Sequence, residues 1–97
     1  MDIDNLLDEA KGTEKYYDLL KDETPTDKRL LSFKKLVCRI FKYRHDIMAG
    51  CKNIAKKTEI LDKSLNRFYY FVDDDRVSHG MFKGLGKDKQ NLLKRGG

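Results

Sequence analysis

Six side chains between residues 56 and 70 carry groups that suit contact with nucleic acid: Lys56, Lys57, Lys63, Asn66, Arg67 and Tyr70. A guanidinium can form paired hydrogen bonds with guanine, and a carboxamide can do the same with adenine. Lysine ammonium groups neutralise phosphates. On a helix, Lys63, Asn66, Arg67 and Tyr70 fall on the outer face. The expected chemistry is binding of duplex DNA, with Asn66 and Arg67 on bases and Lys56, Lys57 and Lys63 on phosphates. The plainer alternative for the same charges is a solvated surface.

Groups suited to catalysis are sparse. His45 and His79 are the two imidazoles. Ser78-His79 lacks the third group that would orient the ring toward a nucleophile. Cys38, His45 and Cys51 are separated by stretches of predicted helix and converge poorly on a zinc ion without a fourth ligand. Asp73-Asp74-Asp75 cannot all reach one cation without another liganding element, and a solvated turn is the simpler assignment. Gly84-Leu-Gly86-Lys87 lacks the strand-to-helix setting of a phosphate loop, and the closing Gly96-Gly97 carries little specificity. No enzymatic activity, cofactor or metal is expected. Cys38 and Cys51, outside any Cys-x-x-Cys pair, read as reduced thiols.

The chain has 97 residues, the size of a single domain with one small core. Charged residues make up 38% and the net charge is +5, with a mean hydropathy of −0.73. Five Tyr and five Phe favour a folded domain over a disordered one. No run approaches the roughly eighteen apolar residues of a membrane span, and the acidic Met1-Asp-Ile-Asp start is unlike a secretory signal. A soluble intracellular protein is expected, with cytoplasm and nucleus not distinguished.

The net value conceals opposite regional charges. Residues 1–27 hold nine acids against three lysines, a net of −6. Residues 28–67 hold twelve Lys or Arg against Asp46, Glu59 and Asp62, a net of +9. The next eight residues contribute −3, and the last twenty-two add +5. Nucleic acid would meet the basic centre, and the acidic start suits a protein partner or solubility.

Periodicity supplies the elements that would position these groups. Ile3, Leu6, Leu7 and Ala10 predict a helix over 2–11, ending near Gly12, and Tyr16, Tyr17, Leu19 and Leu20 a second over 14–22 with Thr13 as its cap. Thr24 as N-cap, Pro25 at the first helical position and Asp27 in the first turn start a third helix. Leu30, Leu31, Phe33, Leu36, Val37, Ile40, Phe41, Ile47 and Met48 carry it to 48, with Gly50 closing it. Shorter helices follow at 51–58 and 62–71, although Phe68–Val72 equally suits a strand. Pairing with Val77–Phe82 would make a small C-terminal hairpin around the aspartates. The expected organisation is an acidic N-terminal segment (1–23), a compact, mainly α domain (24–83) and a flexible basic tail (84–97).

Within that pattern, Asn53-Ile-Ala-Lys-Lys-Thr-Glu-Ile-Leu-Asp-Lys-Ser-Leu-Asn-Arg-Phe68 resembles the helix-turn-helix motif of DNA-binding regulators. The resemblance implies a small Ala55 in the first helix, a buried Ile60 in the turn, and inward Leu65 and Phe68 on the recognition helix. Lys63, Asn66 and Arg67 would then face DNA. Glu59 stands where that family usually has Gly. A paired C-terminal hairpin would extend the likeness to winged members. The first half also resembles the co-chaperone J domain: Lys15-Tyr-Tyr-Asp-Leu-Leu20 looks like its opening helix and Lys34–Lys42 like its second. Arg44-His45-Asp46 stands where that family has His-Pro-Asp, so the resemblance implies helices without the chaperone-stimulating loop. The leading expectation is a non-catalytic DNA-binding regulator. The alternative is a small protein-interaction adaptor, viral or host, that holds a partner through its acidic N-terminal helix.

Overall fold

The computed structural model describes residues 2–73, which form four helices and, among the described residues, no strand. Helix α1 spans Ile3–Lys11, α2 Glu14–Leu20, α3 Lys28–Met48 and α4 Ile54–Asp73. The chain is a small, mainly α domain, as its apolar spacing requires. The proposed hairpin partner Val77–Phe82, His79, Gly84–Lys87, the 84–97 tail and Gly96-Gly97 lie outside the described residues. Phe68–Val72 is the last turn of α4, so the strand alternative for it is not adopted.

Local chemistry sets the helix ends. The Asp2 carboxylate caps α1 by accepting from the amides of Asp4 and Asn5. Thr13 occupies the N-cap position of α2, but its buried hydroxyl donates back to the Ala10 carbonyl at 2.7 Å, so it closes α1 instead of capping α2. Helix α3 starts later than the Thr24-Pro25 signal suggests. Asp27 is its N-cap, with its carboxylate accepting from Arg29 N at 2.9 Å and Leu30 N at 3.0 Å. Of two capping residues three positions apart, the acid engages the free amides, and its charge also suits the positive end of the helix dipole.

The largest departure from expectation is at residues 59–61. The turn on which the helix-turn-helix resemblance rests is absent there, and residues 54–73 form one helix. Nothing between Thr58 and Leu61 breaks a helix. Thr58 returns its hydroxyl to Ile54 O at 2.7 Å, and Glu59 pairs with Lys63 one turn on. The reversal lies at residues 49–53 instead. Gly50 has φ of 75°, and its amide bonds to Ile47 O while the Cys51 amide bonds to Asp46 O, a Schellman closure of α3. Asn53, with φ of 62°, opens α4, its carbonyl accepting from the Lys57 amide. Gly and Asn are the residue types that tolerate left-handed backbone, and Glu is not. Arg44-His45-Asp46, the counterpart of the J-domain loop, likewise lies inside α3.

One core joins all four helices. Phe33, Leu20, Ile40, Leu61, Leu65 and Val37 are fully enclosed, with Leu6, Ala10, Tyr16, Leu30, Leu36, Ile47, Phe68 and Phe71 around them. The acidic segment 1–23 thus contributes apolar side chains to the same core as the basic centre. Phe33 is the hub, with Tyr16 from α2 on its edge and Phe68 and Phe71 from α4 against it, ring centres 5.7 Å away in each case. Burial of a ring of this size contributes about 2–3 kcal/mol. The start of α3 meets the end of α4 through these rings, and Asp46 near the end of α3 bonds Lys57 near the start of α4 at 3.1 Å. The two long helices are therefore an antiparallel pair. Leu31 and Met48, expected in the core, are exposed, and Cys38 is half-buried.

Candidate nucleic-acid interface

The continuous α4 aligns most of the expected binding residues. At about 100° per residue, Lys56, Lys63, Arg67 and Tyr70 fall within roughly 60° of arc and run about 21 Å along the helix. All four are exposed, as is the neighbouring Asn66. Lys57 is set apart: about 100° round the helix from Lys56, it turns across to Asp46, and that hydrogen bond holds its ammonium above the usual lysine range. Ala55, expected in a helix crossing, is exposed, and Ile60 is half-buried within α4, because neither belongs to a turn.

A second row, missed in the sequence, lies on α3. Lys28, Lys35, Arg39 and Lys42 are exposed and follow the same spacing as Lys56, Lys63, Arg67 and Tyr70, so they too share about 60° of arc over about 21 Å. That repeated spacing was the available signal. The other cations of α3 face away from this row. Lys34 donates to the Glu23 carbonyl, and Arg44 Nε donates to Leu7 O at 3.2 Å.

The two rows meet over the α3–α4 seam in an open groove of about 310 Å³ lined by Leu36, Arg39, Ile60, Lys63, Ser64 and Arg67. Leu36, Ile60 and Ser64 line it beneath a rim that carries three cations. Arg67 lies over the Phe71 ring with its guanidinium carbon 5.9 Å from the ring centre, which orients that group beside the groove. Lys63 pairs with Glu59 at 3.1 Å, but both side chains are well exposed and such a pair is weak and readily exchanged. Among the described residues no carboxylate pairs with Arg39 or Arg67.

Helices α1 and α2 occupy the other side of the α3–α4 layer. They reach it through Tyr16 on Phe68, Tyr17 stacked on Phe41, Arg44 on Leu7 and the Tyr69 hydroxyl on Glu9. The α3 and α4 members of these contacts sit about 130° or more round their helices from the centres of the cationic rows. Asp4, Asp8, Glu9, Glu14, Asp18 and Asp22 are exposed on α1, α2 and the residues just after them. The exposed acids of α1 and α2 and the cationic rows of α3 and α4 therefore stand on opposite sides of one domain.

Among the described residues no three His, Cys, Asp or Glu side chains lie close enough to hold a metal. His45 is exposed in the last turn of α3, and both described cysteines are free thiols. No described helix is long and apolar enough to cross a membrane. No family model, curated protein or solved structure matches the chain, so the functional reading rests on its own residues.

Proposed function

We propose that the chain is a non-catalytic nucleic-acid-binding regulator that holds phosphates on the basic face of α3 and α4. The observation that carries this reading is the pair of cationic rows with equal spacing, Lys28, Lys35, Arg39 and Lys42 beside Lys56, Lys63 and Arg67, flanking a groove whose arginines have no carboxylate partner among the described residues. Acidic α1 and α2 on the far side would orient the domain toward a polyanion by repelling it from the wrong face. Asn66 and Tyr70 supply neutral groups for bases beside the phosphate path.

Titration of labelled oligonucleotides, single-stranded and duplex, across a range of salt concentrations tests this. Affinity for at least one form should fall linearly on logarithmic axes as salt rises, and each of Arg39→Ala, Lys63→Ala and Arg67→Ala should lower the slope by about 1 or less. Binding that ignores salt, or that survives all three substitutions unchanged, contradicts the proposal.

The exposed carboxylates of α1 and α2 favour a second reading, an adaptor that holds a basic protein partner on its acidic side. Recovery of partners from extract after nuclease treatment supports it, and loss of every partner opposes it.

A further inference from the structure

Resting on the nucleic-acid reading, we infer that the ligand is a single strand, laid along the α3–α4 seam with a phosphate among Arg39, Lys63 and Arg67 and an adjoining base stacked on Tyr70. Three features point to this form. The groove lies between two helices, so a ligand that meets Arg39 and Arg67 together faces both. Two packed helices, each about 10–12 Å across with axes about 8–10 Å apart, present a face about 20 Å wide. A major groove about 12 Å wide admits one helix and not this face.

The second feature is Tyr70. It is 65% exposed at the end of the α4 row, one turn beyond Asn66 and Arg67, and its ring is braced edge-on by Phe71 at 5.9 Å between centres. An unpaired base offers a free face to such a ring, whereas paired bases in a duplex are already stacked. A cationic path with an aromatic platform is the combination that suits single strands. Asn66, on the adjacent turn, can meet the edge of the same base.

The third feature is what bounds the path. Beneath the cations the groove is lined by Leu36, Ile60 and the Ser64 hydroxyl, a mixed surface that suits a sugar. Beyond Tyr70 the exposed Asp73 carboxylate repels a further phosphate, so the backbone runs from Tyr70 toward Lys56 and not past the end of α4.

The test measures fluorescence anisotropy of labelled single-stranded DNA, single-stranded RNA of the same sequence, and the corresponding DNA duplex, with the whole chain and three variants. Either single strand should bind tighter than the duplex, and the two single-strand arms report whether the sugar matters. Tyr70→Ala should lose on the order of tenfold in single-strand affinity with the salt slope unchanged, and Tyr70→Phe should restore it. Arg67→Ala should lower the slope instead. Tyr70 is exposed, so unchanged circular dichroism is expected of both its variants. A duplex bound as tightly as the single strands, or Tyr70→Ala without effect, overturns the inference and leaves phosphate binding standing. Failure of all three oligonucleotides to bind overturns both.

Discussion

The two sides of the α3–α4 layer use charge differently. On the α1–α2 side, several polar groups hold the fold. Asp2 caps a helix, Glu9 receives the Tyr69 hydroxyl, and the Glu23 and Leu7 carbonyls receive Lys34 and Arg44. On the opposite side, Lys28, Lys35, Arg39, Lys42, Lys56 and Arg67 make no side-chain hydrogen bond or ion pair with the described residues, and Lys63 makes only an exposed one. Lys34 and Arg44, which hold the fold, and the two cationic rows left open for a polyanion thus point to different sides of the α3–α4 layer. The difference teaches where to look: net charge permits a polyanion partner, but only the cations without structural duties are available to meet one.

The comparison breaks most severely at the shared core. Phe33 touches rings from both α2 and α4, so Phe33→Ala is expected to cost about 3–5 kcal/mol in a denaturant titration. Unfolding should remain one transition by circular dichroism and by tyrosine fluorescence. Separate transitions would make the acidic side an annex and not half of a single domain.

Next in size are the backbone positions that keep the two rows in line. Gly50→Ala meets no atom within 4 Å, so its cost is the left-handed backbone alone, about 1–2 kcal/mol. Glu59→Gly discriminates between one helix and two. In a helix interior it destabilises by about 1 kcal/mol, whereas at a left-handed turn it would stabilise. Thermal melts of the two variants decide the matter, and a more stable Glu59→Gly protein contradicts a continuous α4.

The smallest expected effect separates the sides by pH. Burial holds the Tyr16 and Tyr69 phenols above the usual tyrosine range, helped by Asp73 for Tyr16 and by the hydrogen bond to Glu9 for Tyr69. Lys57 is raised by its hydrogen bond to Asp46. In each case the folded-state value exceeds the unfolded one. The corresponding stability is complete below the unfolded values and is lost as pH rises through the folded ones. Thermal stability should therefore fall from about pH 10 upward. Tyr69→Phe should flatten part of that fall, and a midpoint unchanged to about pH 11 contradicts it.

How much of this could be read in the sequence depends on which signals competed. Helix α1 and helix α2 follow their apolar spacing closely, and Gly50 ends α3 because it takes the left-handed backbone of the closure without a Cβ penalty. Lys63, Asn66, Arg67 and Tyr70 are exposed as their positions opposite Leu65 and Phe68 demand. The start of α3 was harder, since Thr24 and Asp27 are both good caps and only the folded chain shows which carboxylate or hydroxyl reaches free amides. The break expected at residues 59–61 came from apolar spacing that a continuous helix satisfies equally well. Glu59 itself was the contrary signal, being a helix former where a left-handed residue was required. Arg39 and the α3 row were hidden because the groove depends on antiparallel pairing, which brings residues 39 and 67 together across a turn at 49–53.

The most direct test of the opposed-sides account is to follow backbone amide shifts by NMR while a single-stranded oligonucleotide is added to the whole chain at low salt. The expected result is a continuous set of shifts over residues 28–42 of α3 and 56–70 of α4, centred on Arg39, Lys63 and Arg67, with Asp4–Asp18 unmoved. Shifts centred on α1 and α2, or none at saturating oligonucleotide, contradict it.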